Sequence, residues 1–472
     1  MSTKVLSGKD IRKLGYPEGR VIAVVICTMN RFYKNKGKDF KLQILKEIIQ
    51  DPSAYEKDEQ LGRIVFELRS KTEKKPAFAL NTNRIDYKIY GTAFIEEGAR
   101  HQMEIAMKLP VALAGSLMPD AHQGYGLPIG GVLAVENAVI PYGVGVDIGC
   151  RMCLSVFDLP AQYIDQHKQQ LQKLLLTHTA FGAETFKKSD DHPILAREEF
   201  ETIRLARHLK DRAWKQLGSS GSGNHFVEFG LLTIETQDPA IGVAPGQYLA
   251  LLSHSGSRGL GAEIARHYTR IAKDQCKLPN EAQSLAWLDL SSEAGQEYWL
   301  AMNLAGDYAS ACHHLIHKKI GQALGESTML RVENHHNFAW KETLADGREA
   351  IVHRKGATPA GAGVLGIIPG SMTAPGFVVR GKGNPLSLNS ASHGAGRILS
   401  RSKAKMTFTA KEMRQALEKA NVTLIGSGID EAPMVYKDIR QVMSAQTELV
   451  EVLATFQPKI VRMCGDNTPA ED

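Results

Sequence analysis

Cysteine is scarce, with six residues in 472 (Cys27, Cys150, Cys153, Cys276, Cys312 and Cys464). So few thiols, without regular spacing and with no secretory leader pattern before them, exclude a disulfide scaffold and predict a reducing, cytoplasmic setting. Long apolar runs are also lacking: the longest early one, residues 21–27, falls far short of the roughly 20 residues that a membrane-spanning helix needs. A membrane function is therefore not expected. Nor does one sign of charge dominate. The 57 Lys and Arg exceed the 51 Asp and Glu by a net +6, a mild excess that is compatible with a polyanionic partner without establishing one. Low-complexity tracts and repeats of 20–50 residues are missing, which excludes solenoids and arrays. What is present is globular composition, 43% apolar and 23% charged, on a chain long enough for two or three domains or one large elaborated domain.

Residues 1–100 suggest no chemistry. They hold an apolar run at 21–27 that reads as a strand, a helix-like LQILKEIIQD from Leu42, and a lysine-rich stretch at 71–75. From about Gly115 the texture changes: glycines cluster with His, Asp and Asn in short loops between apolar runs such as GGVLAVENAVI and MCLSVFDL, the kind of loop that usually holds sites. Residues 164–217 are helical in pattern and basic, which most simply gives a solvated helix face. A second helical block runs from about Ser291 to Leu324. Strand patterns recur at YLALLSH, STMLRVE and EAIVHRK, and helices are expected at 409–420 and 436–455. This irregular alternation predicts a mixed α/β or α+β architecture around one compact catalytic core.

Two glycine patterns imitate nucleotide sites. GAGVLG at 361–366 matches the dinucleotide fingerprint but runs into IIPG instead of opening a helix, and GFVVRGKG at 376–383 has Gly383 where a P-loop needs Ser or Thr. His313 and His317 stand four apart on an expected helix, and with no carboxylate beside them they read as ordinary helix histidines. More informative are five loops carrying Asp, Cys and His: GVDIGC (Asp147, Cys150), GSGNHFVE (His225), LSHSGSRG (His254), ENHHNFA (His335, His336) and NSASHGAGR (His393). Asp147 and Cys150, three apart on a tight turn, can converge on one cation or two adjacent ones. A bridging thiolate suits the paired-metal arrangement that clamps a phosphoryl group. Ligand softness favours zinc, while the carboxylate leaves room for manganese. In SHGAGR, small residues let backbone N–H groups approach a phosphate, Arg397 can pair with it bidentately, and His393 can attack phosphorus.

These segments, together with MPDAHQGYGLPIGG, VHRKGATPAG, IPGSM, RGKGNP and EAPMVYKD, run in order through most of residues 115–440 and closely resemble the RtcB family of RNA ligases. The resemblance implies an α+β fold of the RtcB type, a compact single catalytic core of mixed sheets flanked by helices. Residues 101–472 would form it, with a helical insertion at about 160–217 and residues 1–100 packed on it. It also implies a GTP- and manganese-dependent enzyme joining RNA 3′-phosphate or 2′,3′-cyclic phosphate ends to 5′-hydroxyl ends. By motif, Cys150 would bridge two Mn²⁺ ions, with Asp147, His225, His254 and His336 as the other ligands. His393 would take GMP from GTP, Asn224, Glu228, Ser371, Ala395, Gly396 and Tyr436 would contact the guanylate, and Arg397 is the motif arginine. Three departures stand out: Arg151, a bulky cation beside the metal loop; Gly376, at the position of a guanine-holding serine; and Cys464 near the terminus, where Arg462 is the candidate replacement for a nucleotide-contacting lysine. They suggest a divergent paralogue in the repair of transfer or ribosomal RNA, with a release-factor homologue as a candidate partner, rather than one confined to tRNA splicing. A cyclic-phosphate hydrolase and a non-catalytic RNA-binding module are the competing readings.

Overall fold

The computed structural model describes residues 6–17, 20–72 and 77–465. The chain divides into two units, Met1–Pro76 and Ala77–Asp472. The lysine-rich 71–75 stretch falls mostly outside the described residues.

The smaller unit is helical, with Gly8–Lys13, Arg20–Phe32, Lys38–Gln50 and Gly62–Thr72. The 21–27 run is thus a helix and not the expected strand. Val21, Val24, Val25, Thr28 and Met29 are buried while Ala23, Cys27 and Asn30 are exposed, a spacing of three to four that only a helix produces. A run of seven apolar residues does not by itself show which period applies.

The larger unit is α+β, built on two mainly antiparallel sheets flanked by helices. A five-stranded sheet runs in the order Lys88–Ile89, Ala112–His122, Ile129–Val135, Glu349–Lys355, Asn337–Thr343. An eight-stranded sheet runs Leu365–Ile368, Gly376–Gly381, Val450–Met463, Phe226–Ile234, Gly246–Ser255, Arg151–Pro160, Thr328–His335, with Thr423–Ile425 paired beside Val450–Met463. The strand Val450–Met463 corrects the helix expected at 436–455, of which only Ile439–Ser444 is helical. Residues 450–456 pair with Gly376–Gly381 and residues 455–463 with Phe226–Ile234, and this pairing overrides local helix preference. Both imitated nucleotide motifs lead into or lie on strands, Leu365–Ile368 and Gly376–Gly381.

Strand alternation gives the larger sheet two faces. Met152, Leu154, Ala250, Leu252 and Phe456 pack on one; Phe157, Val227, Phe229, Leu249 and Leu251 pack on the other with Ile316 and Ile320 of the helix Glu293–Leu324. On this second face His313 and His317 hold a buried chain of hydrogen bonds. His313 Nε2 donates to Ser255 O (3.0 Å), so its Nδ1 accepts from Ser253 Oγ (2.6 Å). Ser253 Oγ then accepts from His317 Nε2 (2.7 Å), and His317 Nδ1 accepts from Ser155 Oγ (2.8 Å). Both rings are neutral, because burial holds His313 down to about 3 and His317 well below the usual range.

These buried neutral imidazoles make the fold acid-sensitive. Burial lowers His313 and His335 to about 3 and His353 to about 4. Below about pH 6.5 the unfolded chain binds protons that the folded chain refuses, so stability falls as pH falls from there toward 3–4. At pH 5 each ring is expected to remove up to about 2 kcal/mol, read as a lower urea midpoint than at pH 7. An unchanged midpoint would contradict this assignment.

Candidate active site

Each candidate ligand stands at a strand end or in the loop beside it. Cys150 immediately precedes Arg151–Pro160, His225 precedes Phe226–Ile234, His254 lies near the end of Gly246–Ser255, and His336 follows Thr328–His335. Antiparallel pairing sets Arg151 opposite both Ser255 and His335, and Phe226 opposite His254, which brings these ends together.

The result is a row of donor atoms. Asp147 Oδ2 lies 3.0 Å from His225 Nε2, and His225 Nε2 lies 3.3 Å from Cys150 Sγ. Sγ lies 3.2 Å from His254 Nε2, which in turn lies 3.2 Å from His336 Nε2. All five residues are buried. His254 Nδ1 donates to Asn224 O at 3.2 Å, so its Nε2 presents a lone pair to the sulfur. Burial, with His225 nearby, keeps His254 well below the usual range, and burial, with His393 nearby, does the same for His336, so both rings are neutral as ligation requires. For Asp147, burial opposes ionisation, but the hydrogen bond and charge of His225 outweigh it and hold the carboxyl below its ordinary value. Its Oδ1 accepts from Ser257 N at 3.2 Å. Gly256 permits this approach, since a Cβ there would fall 2.0 Å from Asp147 Oδ1. A thiol, a carboxylate and three imidazoles crowded this closely fit divalent cations. The sulfur lies in the middle, with a carboxylate and an imidazole on one side and two imidazoles on the other, and the donor atoms of Cys150, His225 and His254 all lie within 4.8 Å of one another. His335, left open beside His336 in the sequence, packs instead against Phe338 and Trp340.

The row leads to His393, whose ring centroid is 4.9 Å from that of His336. Asp120, fully buried on Ala112–His122, accepts from His393 Nδ1 at 2.6 Å, from His393 N at 3.1 Å and from Gly394 N at 3.3 Å, all on Oδ2. Burial would raise the Asp120 carboxyl, yet the His393 charge and hydrogen bond lower it overall. In the neutral ring, an Nδ1–H donated to Asp120 leaves the lone pair on Nε2. Lys437 Nζ pins the carbonyls on either side of Asp120, Pro119 O at 3.2 Å and Ala121 O at 2.7 Å. Gly396 is required by close approach: its φ is +74° and a Cβ would fall 2.0 Å from Asp120 O.

The sequence does not single out Asp120 and Lys437. Both lie in segments that carry the resemblance, MPDAHQGYG and EAPMVYKD, but nothing in spacing joins a residue at 120 to one at 393.

His393 borders two cavities. One is lined by Asn224, Glu228, Ser371, Ala395, Gly396 and Tyr436 along with Gly376 and apolar side chains such as Phe226 and Met372. It therefore gathers the six residues that the motifs assign to the guanylate. Burial raises the Glu228 carboxyl well above its ordinary range. The other cavity holds Asp147, Cys150, His225, His254 and His336, with His122, Lys355 and Arg401. Burial lowers the Lys355 ammonium to about 7.

Arg397 borders both cavities, but three of its N–H donors go to protein: Nη2 to Asp430 O (2.6 Å), Nη1 to Glu431 Oε2 (3.2 Å) and Nε to Leu399 O (3.1 Å). Its guanidinium also lies 5.4 Å from the Tyr436 ring centroid, and Tyr436 donates to Glu431. Two expectations need correction. Arg151 adds no charge to the donor row, because it turns into the protein, pairing with Glu333 at 2.8 Å and donating to Gly306 O at 2.9 Å. Arg462 does not replace a nucleotide-contacting lysine. Val461 and Met463 face the cavity, so alternation directs Arg462 to the opposite side, where it donates to Leu175 O and Thr179 O at the end of the helix Lys168–His178.

Among the described residues, no helix is long and apolar enough to cross a membrane. The family model described as tRNA-splicing ligase RtcB matches residues 102–204 and 196–463. An Escherichia coli protein named RNA-splicing ligase RtcB is 33% identical over 393 residues, covering 77% of this chain and 93% of its own. A Methanococcus maripaludis tRNA-splicing ligase RtcB is 30% identical over 453 residues, covering 80% of this chain and 94% of its own. A Mycobacterium tuberculosis RNA-splicing ligase RtcB is 31% identical over 420 residues, covering 74% and 96%. With the fold, the donor row and this extent of similarity in agreement, the chain belongs to the RtcB family.

Proposed function

We propose that this protein is an RNA ligase that joins a 3′-phosphate or 2′,3′-cyclic phosphate end to a 5′-hydroxyl end through a guanylylated His393, using GTP and two Mn²⁺ ions. The observation that carries this reading is the His393 ring, held at Nδ1 by Asp120 at the end of the donor row. The names of the relatives, RNA-splicing and tRNA-splicing ligases, support the substrate class.

In this reading His393 Nε2 attacks the α-phosphorus of GTP; an N–P bond forms, a P–O bond breaks and pyrophosphate leaves. The guanylyl group then passes to an oxygen of the RNA 3′-phosphate, which breaks the N–P bond and frees the imidazole. The 5′-hydroxyl attacks the RNA phosphorus, a phosphodiester forms and GMP leaves. A cyclic end is first opened by water. Divalent cations held by Asp147, Cys150, His225, His254 and His336 would supply charge neutralisation and Lewis-acid activation. Asn224, Glu228, Ser371, Ala395, Gly396 and Tyr436 hold the guanylate, and Arg397 positions Tyr436 and Glu431 at the cavity wall. The physiological role is repair of broken RNA.

Asp120 acts by fixing the ring. Asp120→Asn is expected to slow adduct formation by roughly 10³–10⁴-fold, because an amide can donate to Nδ1 and stabilise the wrong tautomer. Single-turnover labelling with GTP reads this rate, and an unchanged rate would remove Asp120 from the mechanism.

The reading as a whole is tested by incubating the protein with Mn²⁺, labelled GTP and RNA carrying 2′,3′-cyclic phosphate and 5′-hydroxyl ends. A ligase forms an acid-labile protein adduct and seals the ends. A hydrolase opens the cyclic ends without an adduct, and a binding module does neither; each result would contradict the proposal.

A further inference from the structure

Charge is divided unevenly along this chain. Residues 1–76 hold 17 Lys and Arg against 10 Asp and Glu, leaving 40 against 41 for residues 77–472. The basic excess therefore belongs to the smaller unit, which lies outside the residues matched by the family model. Part of it is concentrated in RFYKNKGKDFK, residues 31–41, with five cations and three aromatic rings around one carboxylate, Asp39. This segment ends the helix Arg20–Phe32, turns, and opens the helix Lys38–Gln50.

Not every cation there is available. Lys38 pairs with Asp10 at 2.8 Å, and Lys41 is buried. Arg31, Lys34 and Lys36 are exposed, and among the described residues none of them forms an ion pair. Phe32 and Phe40 are 44% and 45% exposed, and the apolar core of this unit closes without them. Arg31 lies 5.1 Å from the Phe32 ring centroid and Lys36 lies 5.2 Å from that of Phe40. The Tyr33 and Phe40 rings are 6.4 Å apart. Exposed rings interleaved with unpaired cations suit a strand whose bases stack and whose phosphates need counter-charge.

We propose that the turn joining Arg20–Phe32 to Lys38–Gln50 binds unpaired RNA, with Phe32 and Phe40 stacking on bases and Arg31, Lys34 and Lys36 meeting phosphates. This rests on the reading that the chain acts on broken RNA, and it adds a holding surface in a unit that contains none of the reacting residues. RNA is favoured over an acidic protein because two exposed rings offer platforms for planar bases beside the charges.

The test uses the full chain and a labelled single-stranded RNA of about 16 nucleotides, with 5′-phosphate and 3′-hydroxyl ends that cannot enter the joining reaction. Two variants, Arg31→Ala/Lys34→Ala/Lys36→Ala and Phe32→Ala/Phe40→Ala, are expected to weaken binding by about tenfold or more. The charge variant should also flatten the plot of log Kd against log salt by about 2, from three lost phosphate contacts at about 0.7 each. Sealing of short RNA ends should be unchanged in both. Parental affinity and salt slope in both variants would overturn the proposal. So would loss of binding to phosphatidylserine vesicles with RNA binding intact, or equally tight binding of a fully paired hairpin that only the charge variant weakens. Failure of the parent to seal ends while these variants still lose RNA would sink the ligase reading and leave this surface standing. Sealing by the parent with no effect of either variant would do the reverse.

Discussion

Replacing His393 by alanine is expected to reduce guanylate transfer from GTP to background, a loss of roughly 10⁴-fold or more, and to abolish end sealing with it. No neighbouring group is arranged to take over. His122 is partly buried, with its ring lowered to about 4 by desolvation, and its Nδ1 is held at Asp120 O on its own strand. His336 faces the donor row. The fold should survive, since the side chain contributes one hydrogen bond and is 16% exposed. Thermal unfolding near that of the parent, with adduct formation lost, is the expected pair of results. Sealing that persists would show that another group carries the guanylate.

Cys150→Ser is expected to weaken Mn²⁺ binding by at least about 100-fold and to suppress adduct formation in parallel. The sulfur is the middle member of the row, within 3.2–3.3 Å of two imidazole nitrogens, and the only one that both flanks can share. Serine keeps the shape but replaces a ligand that ionises readily with one that does not. Calorimetric titration of the metal-free protein with Mn²⁺ reads the effect directly. Equal affinity in parent and variant would contradict the shared-thiolate arrangement.

Much of the site was legible because its residues sit in loops with unusual composition. Asp147, Cys150, His225, His254, His336 and His393 each have glycine, serine or asparagine within two positions, and all six come together. Whether His335 or His336 faces the site was not legible from local composition, because both belong to one HH pair and only strand alternation separates them. Asp120 was hidden for another reason. Its partner is 273 positions away, and the contact follows from two segments meeting in three dimensions. Arg397 and Arg462 were legible as cations, but that several of their N–H groups already bond within the protein was not, since the acceptors are largely main-chain carbonyls that composition does not reveal. Among elements, the long helix Glu293–Leu324 and the strands Gly246–Ser255 and Glu349–Lys355 followed their hydrophobic periods. The 21–27 and 436–455 segments did not, being too short in one case and governed, over 450–455, by the neighbouring strand Gly376–Gly381 in the other.

The most direct test of the account is to treat the protein with GTP and Mn²⁺ and map any adduct by mass spectrometry under conditions that preserve N–P bonds. One acid-labile guanylate per chain is predicted, on the peptide containing His393, and none once the metal has been chelated. A guanylate on lysine, or none at all with metal bound, would contradict it.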